Sequence, residues 1–131
     1  METTNYGFSK VVTLPFAEAV VQVKEAFAKE GFGQLTEIDV QSKIKEKLGM
    51  AVEPYVILGM CNPTLAYQAL LIETEIGLLL PCNVIVYEKA GIVRVAAQKP
   101  SLLSDIVQKE TLKTVTDEAE KRIRAVLETI T

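Results

Sequence analysis

The sequence predicts an α+β fold. Two observations carry the prediction. Apolar residues recur at period two in five short stretches and at the helical period in the stretches between them. The chain also closes on a long amphipathic run, Leu112, Val115, Ala119, Ile123, Val126 and Ile130, which at ~1.5 Å per residue is long enough to lie across a whole sheet.

The first strand spans Tyr6 to Leu14, with Tyr6, Phe8, Val12 and Leu14 on one face and Lys10 interrupting them. Pro15 suits a first helical turn, where its missing N–H is not needed. Phe16, Val20, Val23 and Phe27 form the buried stripe of that helix, and Gly31 stops it. Gly33 to Asp39 reads as the second strand. Asp39 then caps a short helix with Val40, Ile44 and Leu48 on one side, ended by Gly49. Tyr55 to Met60 is a third strand, continuously apolar and therefore interior to the sheet.

Asn62-Pro63 marks the start of the next helix, since Asn is a favoured N-cap and Pro a favoured first residue. Leu65, Ala69, Ile72 and Ile76 extend it to Gly77, with Glu73 and Glu75 at the end where the helix dipole disfavours them. Leu80 to Glu88 and Gly91 to Gln98 form a hairpin turning at Lys89-Ala90-Gly91, apolar on both faces. Arg94, on an apolar strand, needs water or a carboxylate, and Glu88 is a candidate partner. Ser101 to Ile106 follows Pro100 as a short helical turn, and the last helix begins near Lys109. With no repeat, low-complexity tract or linker, residues 1–131 are expected to form a single domain, of a size that can bury a core unaided.

Composition narrows the functional classes. The net charge of −3 and the absence of a dense basic cluster disfavour nucleic acid as a partner. KIKEK at Lys43 to Lys47 is interrupted by Glu46 and reads as the solvated side of a helix. METTNYGFSK lacks the pattern of a signal peptide, and apolar runs such as Ile76–Pro81 fall far below the ~20 residues of a membrane span. A cytoplasmic protein with no membrane partner and reduced cysteines is expected. With no histidine, the chain has no Ser-His or Cys-His pairing of its own, and without CxxC spacing no metal site or cofactor is expected.

The chemistry left is concentrated in Tyr55 to Glu88, which holds both cysteines. Cys61 precedes a helix N-terminus, where amides and dipole can stabilise a thiolate, so it is the candidate catalytic residue. The same position better suits a small buried residue ending a core strand. Cys82 shares the face of Val84 and Val86, which favours burial. Cys61, Asn62, Glu75, Cys82 and Asn83 make up the candidate edge of a binding site. Glu73 and Glu75, two residues apart on a helix, face nearly opposite ways and do not form an acid–base pair.

KEAFAKEGFGQLTEIDV, LGMCNPTLAYQAL and ETEIGLLLPCNVIVYE resemble the bacterial and archaeal family called domain of unknown function 302, over about Tyr6 to Val107. The resemblance implies a TATA-binding-protein-like fold: an antiparallel sheet of about five strands on a β-α-β4-α plan, extra short helices, and a long C-terminal helix packed across it. It also implies a homodimer, and no established activity. Read from spacing alone, the strand–helix–strand unit around Cys61 and Cys82 could be a parallel crossover with the cysteines at opposite edges. The family's antiparallel order puts them at the same edge.

Two readings follow. One is a non-enzymatic homodimer that binds a small molecule or a protein, using the outer side of the Gly91–Gln98 strand or the C-terminal helix as its dimer surface. The other is thiol-dependent sulfur transfer or redox chemistry at Cys61, with Cys82 nearby.

Overall fold

A computed structural model describes residues 1–131. It contains one six-stranded antiparallel sheet in the order β1-β2-β6-β5-β4-β3. The strands are β1 (Glu2–Thr3), β2 (Gly7–Val12), β3 (Gly33–Asp39), β4 (Tyr55–Cys61), β5 (Cys82–Lys89) and β6 (Ile92–Gln98). Five correspond to the expected strands. β1 is the addition, and two residues are too few to show a period. It lies against β2 because Thr4 Oγ1 accepts the Gly7 and Tyr6 amides and turns the chain back. Tyr6 therefore sits exposed in that turn and does not share the Phe8 face.

The helices are α1 (Phe16–Lys29), α2 (Val40–Leu48), α3 (Pro63–Ile72), α4 (Ser101–Val107) and α5 (Glu110–Thr129), with a 3₁₀ segment over Thr74–Leu79. α1 and α5 pack on one face of the sheet. There Phe8, Val56, Leu58, Val84, Val86, Val95 and Ala97 meet Ala19, Val23 and Phe27 of α1 and Ile123, Val126 and Leu127 of α5. Lys10 belongs to this apolar face for a reason specific to it. Its ammonium donates to the carbonyls of Leu127, at 3.0 Å, and Ile130, closing the negative end of α5.

A second, smaller cluster of Ala69, Ile76, Leu103 and Leu112 joins α3, the 3₁₀ segment, α4 and α5. α5 serves both clusters, because its stripe runs from Leu112 through Thr116 and Ala119 to Ile123 and Leu127. α2 forms between the expected caps: Asp39 accepts the Ser42 amide and Gly49 takes φ of +66°. Its stripe of Val40, Ile44 and Leu48 nevertheless holds no fully buried residue: Val40 and Ile44 are half-buried and Leu48 is exposed.

Two local expectations are corrected. α3 stops at Ile72, short of Gly77, because Glu73 is extended and its carboxylate accepts the Glu75 amide, starting the 3₁₀ segment. Glu73 also pairs with Lys109 at 3.1 Å, and this bond holds its carboxyl below the usual range. The charge thus sits at the start of a turn, where the dipole favours it. Arg94 pairs with Glu2 at 3.2 Å, not with Glu88, because β1 brings Glu2 to that side of the sheet.

The other sheet face carries no buried apolar side chain of its own. Register aligns Ala96, Ile85, Ile57 and Ile38 in one row across β6, β5, β4 and β3. Val11, Arg94, Tyr87 and Tyr55 form the next row, with the two tyrosine rings stacked at 5.6 Å.

Candidate functional site

The candidate site is a cavity of about 350 Å³ between the two apolar clusters, where the ends of β4 and β5 meet α3, α4 and α5. The sequence builds each wall locally. At the end of α1, Gly31 takes φ of +83°, the Phe32 amide reaches back to the Phe27 carbonyl and the Gly31 amide to Ala28. This is a Schellman ending, and its apolar contact is the edge-on pair of Phe27 and Phe32, 5.7 Å apart. It sets Phe32 in the cavity wall.

Asn62 builds the second wall. Its backbone is extended and its Oδ1 accepts the Leu65 amide at 3.1 Å, which fixes the start of α3 and sets Leu65, Ala66 and Ala69 along the cavity. The third wall comes from α5: Val115, Thr116 and Ala119 span the gap between the two clusters. Thr116 is buried and satisfied internally, donating to the Lys113 carbonyl at 3.1 Å.

Gly59 locks the sheet side. A β-carbon there would collide with Thr36 Oγ1 and come within 2.7 Å of Pro81 Cγ. The bare backbone lets Pro81, joined to Leu80 by a cis peptide, fold over β4 just before Cys82.

Leu80, Pro81, Pro100 and Leu103 complete the lining, and Leu35 and Leu70, both largely exposed, stand at the mouth. Thirteen of the 17 lining residues are hydrophobic and none is charged. A dent of about 430 Å³ on α5 differs in kind. Asp117, Glu120, Lys121, Arg124 and Glu128 line it from a single helix, with no wall from a second element.

The predicted site residues divide. Cys61, Asn62 and Cys82 meet at the cavity, and Met60 pairs with Cys82 across the β4–β5 ladder, so the cysteines lie at the same end of adjacent antiparallel strands. Both are free thiols. They are staggered by one residue, and successive residues of a strand leave on opposite faces, which works against a disulfide. Glu75 is exposed beyond the far end of α3 and does not reach the cavity, because the ten-residue helix (~15 Å) carries the chain away from the cysteines. Asn83 follows Cys82, points to the other face opposite Gly59, and is exposed.

The surroundings of Cys61 work against a thiolate. Burial pushes its thiol up, and the Leu65 amide at the helix start is taken by Asn62. Cys82 is pushed up to about 11, by burial first and then by the neighbouring Cys61.

Phe32, Thr116 and Leu103 escaped sequence reading. A polar residue inside the apolar stripe of α5 was the available signal for Thr116, and an aromatic just after a helix-ending glycine was the signal for Phe32.

No curated protein matches the sequence. In structure it is similar to the uncharacterized conserved protein DUF302 from Bacillus stearothermophilus, at 31% identity and a TM-score of 0.89, over 95% of this chain and 98% of that one. The family model described as domain of unknown function DUF302 matches residues 8–130. The chain belongs to the DUF302 family.

Proposed function

We propose that the protein is a non-enzymatic binding module whose ligand site is the cavity between the two apolar clusters. One observation carries this: a cavity of about 350 Å³ walled by four separate parts of the fold, with no charged residue in its lining. That volume is in the range of small-molecule sites, and the predominance of apolar walls with a few polar groups is their usual make-up. The thiol reading has less support. A cysteine acts as nucleophile through its thiolate, and burial shifts both thiols towards the protonated form.

The test is saturable binding of a neutral apolar fluorophore such as N-phenyl-1-naphthylamine. Ala66→Phe, on the cavity wall, should abolish the signal while leaving the circular dichroism spectrum unchanged. If Ala66→Phe binds the probe as the wild type does, the cavity is not the site.

The module works as a homodimer in a reducing cytoplasm. Support for the dimer is the uncovered sheet face, where Ala96, Ile85, Ile57 and Ile38 form a continuous apolar row that a second copy's face can cover. This face includes the outer side of β6. Support for the compartment is the cysteine usage: two thiols in the chain, in a geometry that does not pair them. No helix is long and apolar enough to cross a membrane.

A further inference from the structure

We infer that the ligand is a neutral, mainly hydrocarbon molecule with one hydrogen-bond acceptor, a carbonyl oxygen, received by the side-chain amide of Asn62. The inference rests on the cavity being a binding site and adds the ligand's chemistry.

Neutrality follows from the wall. A carboxylate or ammonium entering the cavity would lose its water and meet no counter-charge, which strongly disfavours an unpaired ion. Size follows from the volume. At ~30 Å³ per water-sized group, 350 Å³ holds roughly a dozen such groups.

The acceptor follows from Asn62. This side chain is only 8% exposed and lies in the cavity wall. Its Oδ1 is committed to the Leu65 amide, which fixes the orientation of the group, so Nδ2 carries the two free protons. Nδ2 donates to no atom of the chain and keeps contact with solvent. Nδ2 is not sealed from water, so an oxygen brought by a ligand would take the place of water at a donor that the chain leaves free.

The other polar groups in the wall offer little competition. The Thr116 hydroxyl proton is spent on the Lys113 carbonyl, Pro81 and Pro100 have no N–H, and the two thiols are weak donors.

The experiment displaces N-phenyl-1-naphthylamine with nonane, 2-octanone and octanoate from the wild type and from Asn62→Ser. Serine also caps helices, so the start of α3 is retained without the amide donor. The ketone should lose about fivefold in affinity in Asn62→Ser, the worth of one neutral hydrogen bond, while nonane is unchanged. Octanoate at pH 8 should not displace the probe from either protein. The infrared carbonyl stretch of bound 2-octanone should lie lower on the wild type than on Asn62→Ser, which a purely structural role for Asn62 would not produce. Asn62→Asp, an equally good cap without N–H donors, repeats the comparison should serine's shorter reach loosen the helix.

Equal losses of nonane and ketone, or an unshifted carbonyl stretch, would overturn the role of Asn62. Displacement by octanoate as effective as by the ketone would overturn neutrality. Failure of the wild type to bind any neutral compound would remove the cavity reading itself.

Discussion

Cys82 faces Met60 across the β4–β5 ladder, one residue short of Cys61, so the two cysteines share one end of the sheet as staggered neighbours. The antiparallel arrangement of β4 and β5 produces this. α3 and the 3₁₀ segment carry the chain out and back between them, and the cavity opens where that excursion leaves the sheet.

Both thiols should therefore alkylate more slowly in the native protein than after denaturation at neutral pH, with Cys82 the slower. Mass spectrometry after iodoacetamide treatment across pH measures this at each site. Native Cys61 reacting faster than its denatured control would restore the thiolate reading.

The same shift predicts a fall in stability at alkaline pH. Cys82 is raised from about 9.0 to about 11, so the unfolded chain gives up its proton first. Its contribution is fully present below pH 9 and is lost as pH rises towards 11, by about 2–3 kcal/mol at most. Urea titrations of wild type and Cys82→Ala between pH 8 and 11 should converge as pH rises. Parallel curves would contradict the shift.

Gly59→Ala should destabilise the fold by about 1–3 kcal/mol, because its β-carbon meets Thr36 Oγ1 and Pro81 Cγ. Adding Thr36→Ala should restore part of the loss by removing the nearer obstacle. Thermal unfolding of the single and double variants decides it, and strictly additive losses would show that Thr36 is not the obstacle.

Lys10→Met should cost about 1–2 kcal/mol in urea unfolding, since the carbonyls of Leu127 and Ile130 lose their charged donor. Glu2→Gln, which breaks the exposed pair with Arg94, should cost less than about 1 kcal/mol. An equal cost for both would mean that closing the end of α5 is no stronger than a surface ion pair.

Ile85→Lys, in the middle of the apolar row, should convert a dimer to a folded monomer by light scattering, with probe binding in the cavity retained. A monomeric wild type, or a dimeric Ile85→Lys, would remove this face as the interface.

Local chemistry was enough for most of the elements. Asp39, Asn62, Gly31 and Gly49 announce helix ends through caps and left-handed turns, and these depend only on neighbouring residues. The alternation of β5 and β6 and the stripe of α5 were legible for the same reason. Asn62 was legible as a cap, and Cys61 and Cys82 as neighbours only through the family's strand order. Distant partners decided the rest. Lys10 looked like a flaw in a strand until the end of α5 arrived beside it, and Arg94 awaited a strand of two residues. The sequence carries a helix to Gly77 and with it Glu75 towards the site, whereas Glu73 turns its carboxylate to the next segment and ends the helix early. The cavity itself belongs to the tertiary structure. It exists because two apolar clusters, served by one helix, do not close on each other, and no single stretch of sequence encodes a gap between two packings.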